Sequence, residues 1–176
     1  MNFWINIVGF QLVWTITVGG ASRGLWWAGL PVLALFAVWQ WRVSHVPRAD
    51  LKLVLIAALL GFAVDSAFAA SQWLHYQAPL PSPLLAPVWI LVLWMSFALT
   101  LNHSLQFLRG RHVWAVLFGA VGGPIAYLIA ARGWGAVNFG RPDWHVLLAL
   151  ALAWALVTPL LVAWADRLAR DEAVPA

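Results

Sequence analysis

A single carboxyl group, that of Asp65, lies deep inside a long apolar segment of this sequence. The segment, residues 51–74, is otherwise apolar or small over nearly its whole length, and no other acidic residue lies so deep inside such a segment. An ionised carboxylate costs at least roughly 2.5–3.5 kcal/mol in hydrocarbon, so an acid at this position is expected to have a function. Its chemistry would be that of a general acid, a general base, a charge partner or a proton carrier.

Tyr127 and Arg132, in the fifth apolar segment, are predicted to lie near Asp65. At a helical rise of about 1.5 Å per residue, Asp65 and Tyr127 each lie about 21 Å from the start of their segments, which run in the same direction. Arg132 is one to two turns further along and can extend its charged group back along its apolar stem. Tyr127 and Arg132 would then tune Asp65, because a paired cation keeps a buried carboxylate ionised.

Two stripes of small residues predict that the third and fifth segments touch. The first stripe recurs at every fourth position and consists of Ala57, Gly61, Asp65 and Ala69. The second is the pair Gly119 and Gly123, continued by Tyr127 on the same helix face. Small residues let membrane helices approach closely. Pro124 also frees one backbone carbonyl in the fifth segment, which indicates either a kink beside a polar cavity or a kink used only for packing.

A second polar group surrounds His103 in the fourth segment. Histidine transfers protons and also forms structural hydrogen bonds between helices, so both roles are open for His103. For its polar neighbours, a hydrogen-bonded contact between the first and fourth segments is the simpler interpretation. The candidate reactive residues are Asp65, Tyr127, Arg132 and His103. The predicted polar lining around them consists of Asn6, Gln11, Ser96, Thr100, Asn102, Gly123 and Pro124.

Metal, cofactor and nucleic-acid chemistry are not expected. Asp65 and His103 differ in depth by roughly 10 Å, whereas zinc ligands share one ion at about 2 Å. The chain has no cysteine and no phosphate-binding or dinucleotide-binding motif. The net charge of +4 comes from basic residues in short gaps between apolar segments. That pattern is typical of membrane orientation signals and not of a nucleic-acid-binding face.

The elements that must position these residues are membrane helices. The chain is 64% hydrophobic and 9% charged, whereas roughly a quarter of the residues of soluble proteins are charged. A span of the bilayer core takes about 20 helical residues. Breaks at Pro, Gly and charged clusters predict an all-α, polytopic bundle of six transmembrane helices in one domain, residues 1–176. The predicted helices are residues 3–20, 25–42, 51–74, 84–107, 112–132 and 145–166.

Basic residues predict the orientation of this bundle, since cytoplasmic loops are enriched in Lys and Arg. One side carries Arg42, Arg48, Lys52, Arg109, Arg111, Arg167 and Arg170. The other side carries only Arg23, Arg132 and Arg141. Both termini are therefore predicted to be cytoplasmic. Of fourteen tryptophans, most fall near predicted helix ends, but Trp14, Trp94 and Trp154 lie near the middle, where an indole needs a polar partner, a cavity wall or close packing.

Several segments together resemble an uncharacterised family of small bacterial inner-membrane proteins (domain of unknown function 2878). The resemblance covers nearly the whole chain and is carried by Asn6, 9–14, 61–65, 94–104, 119–124, Tyr127 and 135–139. It implies a multi-pass inner-membrane protein of a Gram-negative bacterium. Genes of this family often lie near those of enzymes resembling cyclopropane-fatty-acid synthases and flavin oxidases, which implies a link to lipid modification.

Three functions follow as hypotheses. The first is a protein that acts on or handles a lipid or another apolar molecule through an intramembrane polar site around Asp65. The second is a small proton-coupled transporter with Asp65 as the proton carrier. The third is a non-catalytic membrane partner of lipid-modifying enzymes, in which Asp65 is ion-paired with Arg132. The expected partners are the lipid bilayer, an apolar small molecule and such enzymes, and the oligomeric state stays open.

Overall fold

The computed structural model of the protein describes residues 2–173, and this part of the chain is built on six α-helices. They are α1 (Asn2–Ala21), α2 (Gly29–Val43), α3 (Pro47–Ala70), α4 (Val88–Leu101), α5 (His112–Arg132) and α6 (Asp143–Ala173). A short 3-10 helix, Gln106–Leu108, follows α4. Each predicted apolar segment overlaps one of the α-helices, so the helical architecture is confirmed.

Four of these helices are long and apolar enough to cross a membrane. The spans are Phe3–Ala21, Pro47–Ala70, His112–Arg132 and Asp143–Ala173 within the described residues. The other two, α2 and α4, have 15 and 14 residues. At about 1.5 Å per residue they extend about 21–23 Å, short of the roughly 30 Å of a bilayer core. The prediction of six helices is therefore correct in number, and four of them have the length of a membrane span.

Helix α4 is shorter than predicted at both ends. Residues 79–87 contain four prolines, so the chain reaches Val88 without regular helix. At the other end, α4 stops at Leu101, directly before the polar run Asn102, His103 and Ser104. The side chains of these three residues bind other parts of the chain, as described below.

Helix α3 begins four residues earlier than predicted, at Pro47. Proline is well suited to the first helical turn, where its missing N–H has no partner to lose. The carboxylate of Glu172, at the end of α6, accepts hydrogen bonds from the backbone N–H groups of Arg48 at 3.2 Å and Ala49 at 2.6 Å. This contact satisfies two of the free N–H groups at the start of α3. Asp50 therefore lies in the first helical turn and not in a loop.

A two-stranded antiparallel ribbon departs from the predicted all-α architecture. Its strands are β1 (Leu74–Tyr76), just after α3, and β2 (Val137–Phe139), just after α5. Leu74 pairs with Phe139 and Tyr76 pairs with Val137. The ribbon ties together the ends of α3 and α5 on one side of the bundle. It also places the side chain of Tyr76 over the interior.

The predicted close packing of α3 on α5 is wrong. In the structure α3 packs on α4 and α6, and α5 packs chiefly on α6. The small residues instead make room for two indoles: a Cβ added at Gly61 would lie 2.2 Å from Trp94 Cγ, and one at Gly123 would lie 2.3 Å from Trp154 Cγ. Small residues did mark the sites of closest approach, but the partner in each case is a tryptophan from a third helix.

Candidate functional site

Asp65 lies at the centre of a buried hydrogen-bond cluster built from four elements. Its Oδ1 atom accepts hydrogen bonds from the hydroxyl groups of Tyr76, at 2.6 Å, and Tyr127. Its Oδ2 atom accepts a hydrogen bond from Trp94 Nε1 at 2.7 Å. Asp65 is 0% exposed, and Tyr76, Trp94 and Tyr127 are also buried. The predicted proximity of Asp65 and Tyr127 is therefore present, although the two helices do not pack on each other.

All three donors to Asp65 are formally neutral. Among the described residues, the salt bridges of the structure involve other carboxylates and none involves Asp65. Tyr76 lies outside the helices that are long enough to span a membrane. Its pKa is raised well above the ordinary value by burial and by the negative charge of Asp65. Tyr76 therefore keeps its proton and remains a hydrogen-bond donor at neutral pH.

Arg132 does not take part in this cluster. Its guanidinium group lies at the exposed end of α5 and pairs with Asp143 in the first turn of α6. A guanidinium group is less costly in water than beside a buried carboxylate that neutral donors already satisfy. The prediction that Arg132 tunes Asp65 is therefore wrong, and so is the ion pair on which the hypothesis of a non-catalytic partner was based.

Trp94 was predicted only to need a polar partner, a cavity wall or close packing, and Tyr76 was not predicted at all. It belongs to a segment that was assigned to an irregular break between helices. The detectable signal was weak: residues 74–76 and 137–139 each place apolar or aromatic residues on either side of a polar one, as strands do. Two strands of three residues are too short to stand out from that pattern alone.

Two indoles stack beside the Asp65 cluster. The rings of Trp94 and Trp154 have centroids 4.6 Å apart and planes that differ by 15°. The N–H group of Trp94 binds Asp65, whereas that of Trp154 is buried without a hydrogen-bond partner. Of the tryptophans predicted in the middle of helices, Trp94 therefore has a polar partner. All three, Trp14 included, also lie on the wall of a cavity.

This cavity has a volume of about 530 Å³ and lies among α1, α4, α5 and α6. Its size falls within the range of small-molecule sites, about 300–1,000 Å³. Helices α1 and α5 both line it yet make few contacts with each other. Several lining side chains on these two helices are exposed, namely Gln11, Phe118, Ile125 and Ile129. The cavity is therefore open on the side between α1 and α5.

Asp65 does not line the cavity. The side chains that separate it from the cavity are Tyr127 and Trp94, which line the wall and bind Asp65 from behind. A molecule in the cavity would contact the tyrosine and the indole, and the carboxylate would act on it only through them. In this geometry Tyr127 and Trp94 lie within reach of an occupant, and Asp65 lies behind them.

His103 belongs to a second polar cluster, centred on Asp50. Asp50 Oδ2 accepts a hydrogen bond from Ser44 Oγ at 2.6 Å and lies 2.8 Å from His103 Nε2. Asp50 Oδ1 accepts one from Asn102 Nδ2 at 2.8 Å, and Arg109 donates to the amide oxygen of Asn102. Asp50 is 2% exposed. It was predicted to be a loop residue, so the true partner of His103 was missed.

The two clusters are far apart. Asp50 and Asp65 are fifteen residues apart on α3, or about 22 Å at the helical rise. His103 and Asp65 therefore serve separate sites, as their depths predicted. Among the described residues, no group of three or more His, Asp or Glu side chains is arranged to hold a metal ion.

The predicted polar lining divides into three groups. Gln11, Thr100 and Gly123 lie on the cavity wall. Asn6 instead links helices: its amide group donates to Gln40 Oε1 at 2.7 Å and to the Leu99 carbonyl at 3.0 Å, and its oxygen accepts from Ser104 at 2.5 Å. The expected hydrogen-bonded contact between α1 and α4 is thus present.

The remaining predicted lining residues do not reach the cavity. The hydroxyl group of Ser96 binds the carbonyl of Leu93 within its own helix at 2.8 Å. Asn102 belongs to the Asp50 cluster, and Pro124 is buried inside α5, which continues through it. Asn102 therefore lies beside His103, as a lining residue of that candidate should, whereas Ser96 and Pro124 belong to neither cluster nor to the cavity wall.

Comparison with known protein families assigns this chain to one of them. A family model described as Protein of unknown function (DUF2878) matches residues 3–160. The chain belongs to this family. No curated protein and no solved structure matches it. The part of the DUF2878 chain that matches includes both polar clusters and the whole cavity wall, so these features lie within the family's own domain. The family assignment brings no activity with it.

Proposed function

We propose that this protein binds a lipid or another apolar molecule from within a bacterial inner membrane, with all six helices inserted and both termini in the cytoplasm. The observation that carries the proposal is the cavity of about 530 Å³, whose wall is mostly apolar and whose open side lies between α1 and α5. In an inserted bundle that side faces the acyl chains. An apolar molecule can then enter laterally without crossing water.

The Asp65 cluster is proposed to hold the polar part of this wall in place. Tyr127 lines the cavity and donates its hydroxyl hydrogen to Asp65, and Trp94 does the same with its indole N–H. Both rings are thereby fixed in one orientation at the cavity wall. If the bound molecule is modified, Tyr127 is the proposed contact residue and Asp65 supports it from behind.

A transport function receives less support from this geometry. A proton carrier must be reached from the path, and Asp65 is enclosed by Tyr76, Tyr127 and Trp94. Within residues 2–173, the cavity wall contains no charged side chain that would carry a proton through it. Binding or modification of an apolar molecule therefore fits the site better.

The proposal is tested by filling the cavity. Gly122 lines the cavity, and a Cβ placed there meets nothing within 4 Å, so Gly122→Trp inserts a large ring into the cavity without a clash at its base. Val121→Trp is the matched control, since Val121 is exposed on the same helix and does not line the cavity. Lipids that remain with the purified protein are measured by mass spectrometry. Gly122→Trp is expected to lose a lipid that the wild type and Val121→Trp both retain.

Two outcomes of this experiment would overturn the proposal. One is that the wild-type protein retains no lipid species above its abundance in the membrane. The other is that Gly122→Trp retains the same species in the same amount as Val121→Trp. Far-UV circular dichroism of both variants checks that the helices are intact.

The cellular arm of the test uses a strain that lacks the gene. The strain is complemented with the wild type, Asp65→Asn or Gly122→Trp, and its membrane lipids are analysed. We expect the two variants to change the same lipid class, since one alters the support of Tyr127 and the other fills the cavity. Unchanged lipids in the deletion strain itself would contradict a role in lipid handling.

A further inference from the structure

Gln11 is a polar residue on the cavity wall whose side chain is exposed at the open side. The other exposed lining residues, in the part of the chain that the structure describes, are the apolar Phe118, Ile125 and Ile129. Among the described residues, the hydrogen bonds of α1 side chains are those of Asn6, so the amide group of Gln11 has no partner there. A molecule at the open side can therefore reach a free amide group.

Gln11 lies at the middle of α1. It is nine residues from the start and ten from the end of this helix, or about 14–15 Å from each at the helical rise. Gly122 is ten residues from either end of α5. The last turns of both helices lie on the same side of the bundle, since a Cβ added at Gly19 would lie 2.8 Å from the ring of Trp134, just after α5. Gln11 and Gly122 therefore have similar depths on the two helices that border the open side.

The open side is widest near this depth. Gly122 has no side chain, and a Cβ placed there meets nothing within 4 Å. Toward the ribbon, the contact of Trp134 with Gly19 closes the space between the ends of α1 and α5. A molecule that enters between these helices in the inserted bundle therefore passes Gln11 in the middle of the bilayer.

The buried polar groups of the wall are already paired or enclosed. Those with a hydrogen-bond partner in the chain belong to Trp89, Trp94, Thr100, Ser104 and Tyr127. Trp154 Nε1 and Thr158 Oγ1 have no partner, but the close approach of α5 encloses them. Gln11 differs from all of these because its side chain is both unpaired and exposed.

The surroundings of Gln11 limit the chemistry of a group that can pair with it. Acyl chains offer no hydrogen-bond partner, so a free amide at this depth is unfavourable and gains from a polar group on the ligand. An amide contains both donors and an acceptor, so a group that both donates and accepts suits it best. An ionised group would lack a counter-charge, because none of the described wall residues is Asp, Glu, Lys, Arg or His.

From these observations we infer that Gln11 selects, among apolar molecules that enter the cavity, those with an uncharged hydroxyl group. This inference rests on the proposed function and specifies its ligand as a long-chain alcohol or another uncharged, hydroxylated lipid. The hydroxyl group pairs with the amide of Gln11 at the open side, and the hydrocarbon part lies inside the cavity. Gln11 is thus the specificity-determining residue of the site.

The experiment compares three probes with the same hydrocarbon chain: an alcohol, its methyl ether and the alkane. Native mass spectrometry of the purified protein, titrated with each probe in one detergent, measures an apparent Kd. The wild type is expected to bind the alcohol most tightly, since a hydroxyl group both donates and accepts. The ether only accepts and the alkane does neither, so the ether should be intermediate and the alkane weakest.

Gln11→Leu removes the amide group and keeps a side chain of similar size. It is expected to raise the Kd of the alcohol by roughly 2- to 12-fold, the range for one neutral hydrogen bond, and to leave the Kd of the alkane unchanged. Thr15→Val is the matched control, because Thr15 is an exposed polar residue of the same helix that does not line the cavity. This control should keep the wild-type Kd for all three probes.

The outcomes separate this inference from the proposed function. If alcohol and alkane bind equally in the wild type and Gly122→Trp blocks both, the cavity binds apolar molecules and the inference about Gln11 is wrong. Equal weakening of alcohol and alkane by Gln11→Leu would also overturn it, because the residue would then only shape the wall. If no probe binds in a way that Gly122→Trp blocks, the proposed function itself fails.

A second copy of the chain is the rival partner for the amide of Gln11, since polar side chains also pair between membrane helices. Light scattering of the purified wild type and Gln11→Leu gives the mass of each. Equal masses agree with a ligand as the partner. A wild-type oligomer that dissociates in Gln11→Leu would assign the amide to a contact between copies and overturn the inference.

Discussion

The two buried carboxylates of α3 each have three hydrogen-bond partners, but the partners differ in charge. Asp65 and Asp50 are both almost fully buried, and each has three polar side chains in hydrogen-bond contact. The partners of Asp65 are two tyrosines and a tryptophan, none of which carries a positive charge. Those of Asp50 include His103, and Arg109 binds the same cluster through Asn102.

The difference follows from position along the helix. Asp50 lies in the first turn of α3, where the helix dipole favours a negative charge and where a partly exposed histidine can reach it. Asp65 lies five residues before the end of α3, toward the negative end of the dipole, in the interior of the bundle. A cation brought to that depth would lose its hydration, so neutral donors are the less costly solution there. Depth thus decides the type of partner that a buried acid takes.

Among the substitutions considered, Asp65→Ala should lower the free energy of unfolding the most. This change leaves two tyrosine hydroxyls and one indole N–H without an acceptor in an apolar interior. At about 1–3 kcal/mol for each unsatisfied donor, partly relieved by a new bond between the tyrosines, we expect a loss of about 3–5 kcal/mol in the free energy of unfolding. Unfolding by SDS in mixed micelles, followed by circular dichroism, measures it. If Asp65→Ala lowered the free energy of unfolding by less than Asp50→Ala does, the proposed difference between the two carboxylates would be contradicted.

Asp50→Ala should cost less, about 1–3 kcal/mol, although it also removes the acceptor of three contacts. His103 is 18% exposed, and Ser44 is only partly buried, so water can take over part of their hydrogen bonding. Only Asn102 among these partners is buried. The same SDS titration applies. An effect equal to that of Asp65→Ala would show that exposure of the partners does not matter.

Gly61→Ala tests whether the Asp65 cluster depends on the close approach of α4. The added methyl group would lie 2.2 Å from Trp94 Cγ and would push away the indole that donates to Asp65. Overpacking of this kind typically costs about 1–3 kcal/mol. Gly122→Ala is the matched control, because its Cβ meets nothing within 4 Å and alanine favours the helix. Equal unfolding midpoints for the two variants would contradict the fit between Gly61 and Trp94.

The smallest expected effect is the contribution of Tyr76 to the loss of folding stability at alkaline pH. Both tyrosines of the chain bind Asp65, and the pKa of Tyr76 is raised by burial and by the charge of Asp65. The unfolded chain releases the tyrosine proton at about pH 10, before the folded protein does. The stability that Tyr76 contributes is therefore complete below about pH 10 and falls as the pH rises above it, toward the folded-state pKa.

Tyr76→Phe removes this part of the alkaline loss. It should cost about 1 kcal/mol at neutral pH, for one neutral hydrogen bond, and flatten the decline of stability above about pH 10. Unfolding midpoints measured across this pH range for the wild type, Tyr76→Phe and Asp50→Ala make the comparison. Asp50→Ala should keep the full decline, since its cluster contains no tyrosine. Parallel declines for Tyr76→Phe and the wild type would refute the assignment.

Much of the Asp65 site was predictable because it depends on local pattern and on depth. The apolar segment around Asp65, the matched depth of Tyr127 and the glycines at Gly61 and Gly123 are all visible along the chain. The partner of each glycine was not predictable, because two stripes of small residues fit each other as well as they fit a tryptophan from a third helix. The structure places Trp94 and Trp154 in those gaps.

Two charged residues, Arg132 and Asp50, were assigned wrongly, and for different reasons. Arg132 pairs with Asp143 across a short connection between helices, and no sequence rule ranks that contact above one with Asp65. Asp50 was placed in a loop because the start of α3 was set four residues too late. A proline at the first helical position with an acid three residues on was the signal that marks the earlier start.

The sequence by itself determined that this is a chain of apolar helices with one acid held deep inside, since hydrophobic segments of that length and a lone carboxylate are local properties. The tertiary structure alone decided that Tyr76 closes the cluster and that Asp65 lies behind the cavity wall. Those facts depend on the rotation of each helix about its axis and on the ribbon that joins α3 to α5. Both are set by packing between residues far apart in the chain, which a local pattern does not encode.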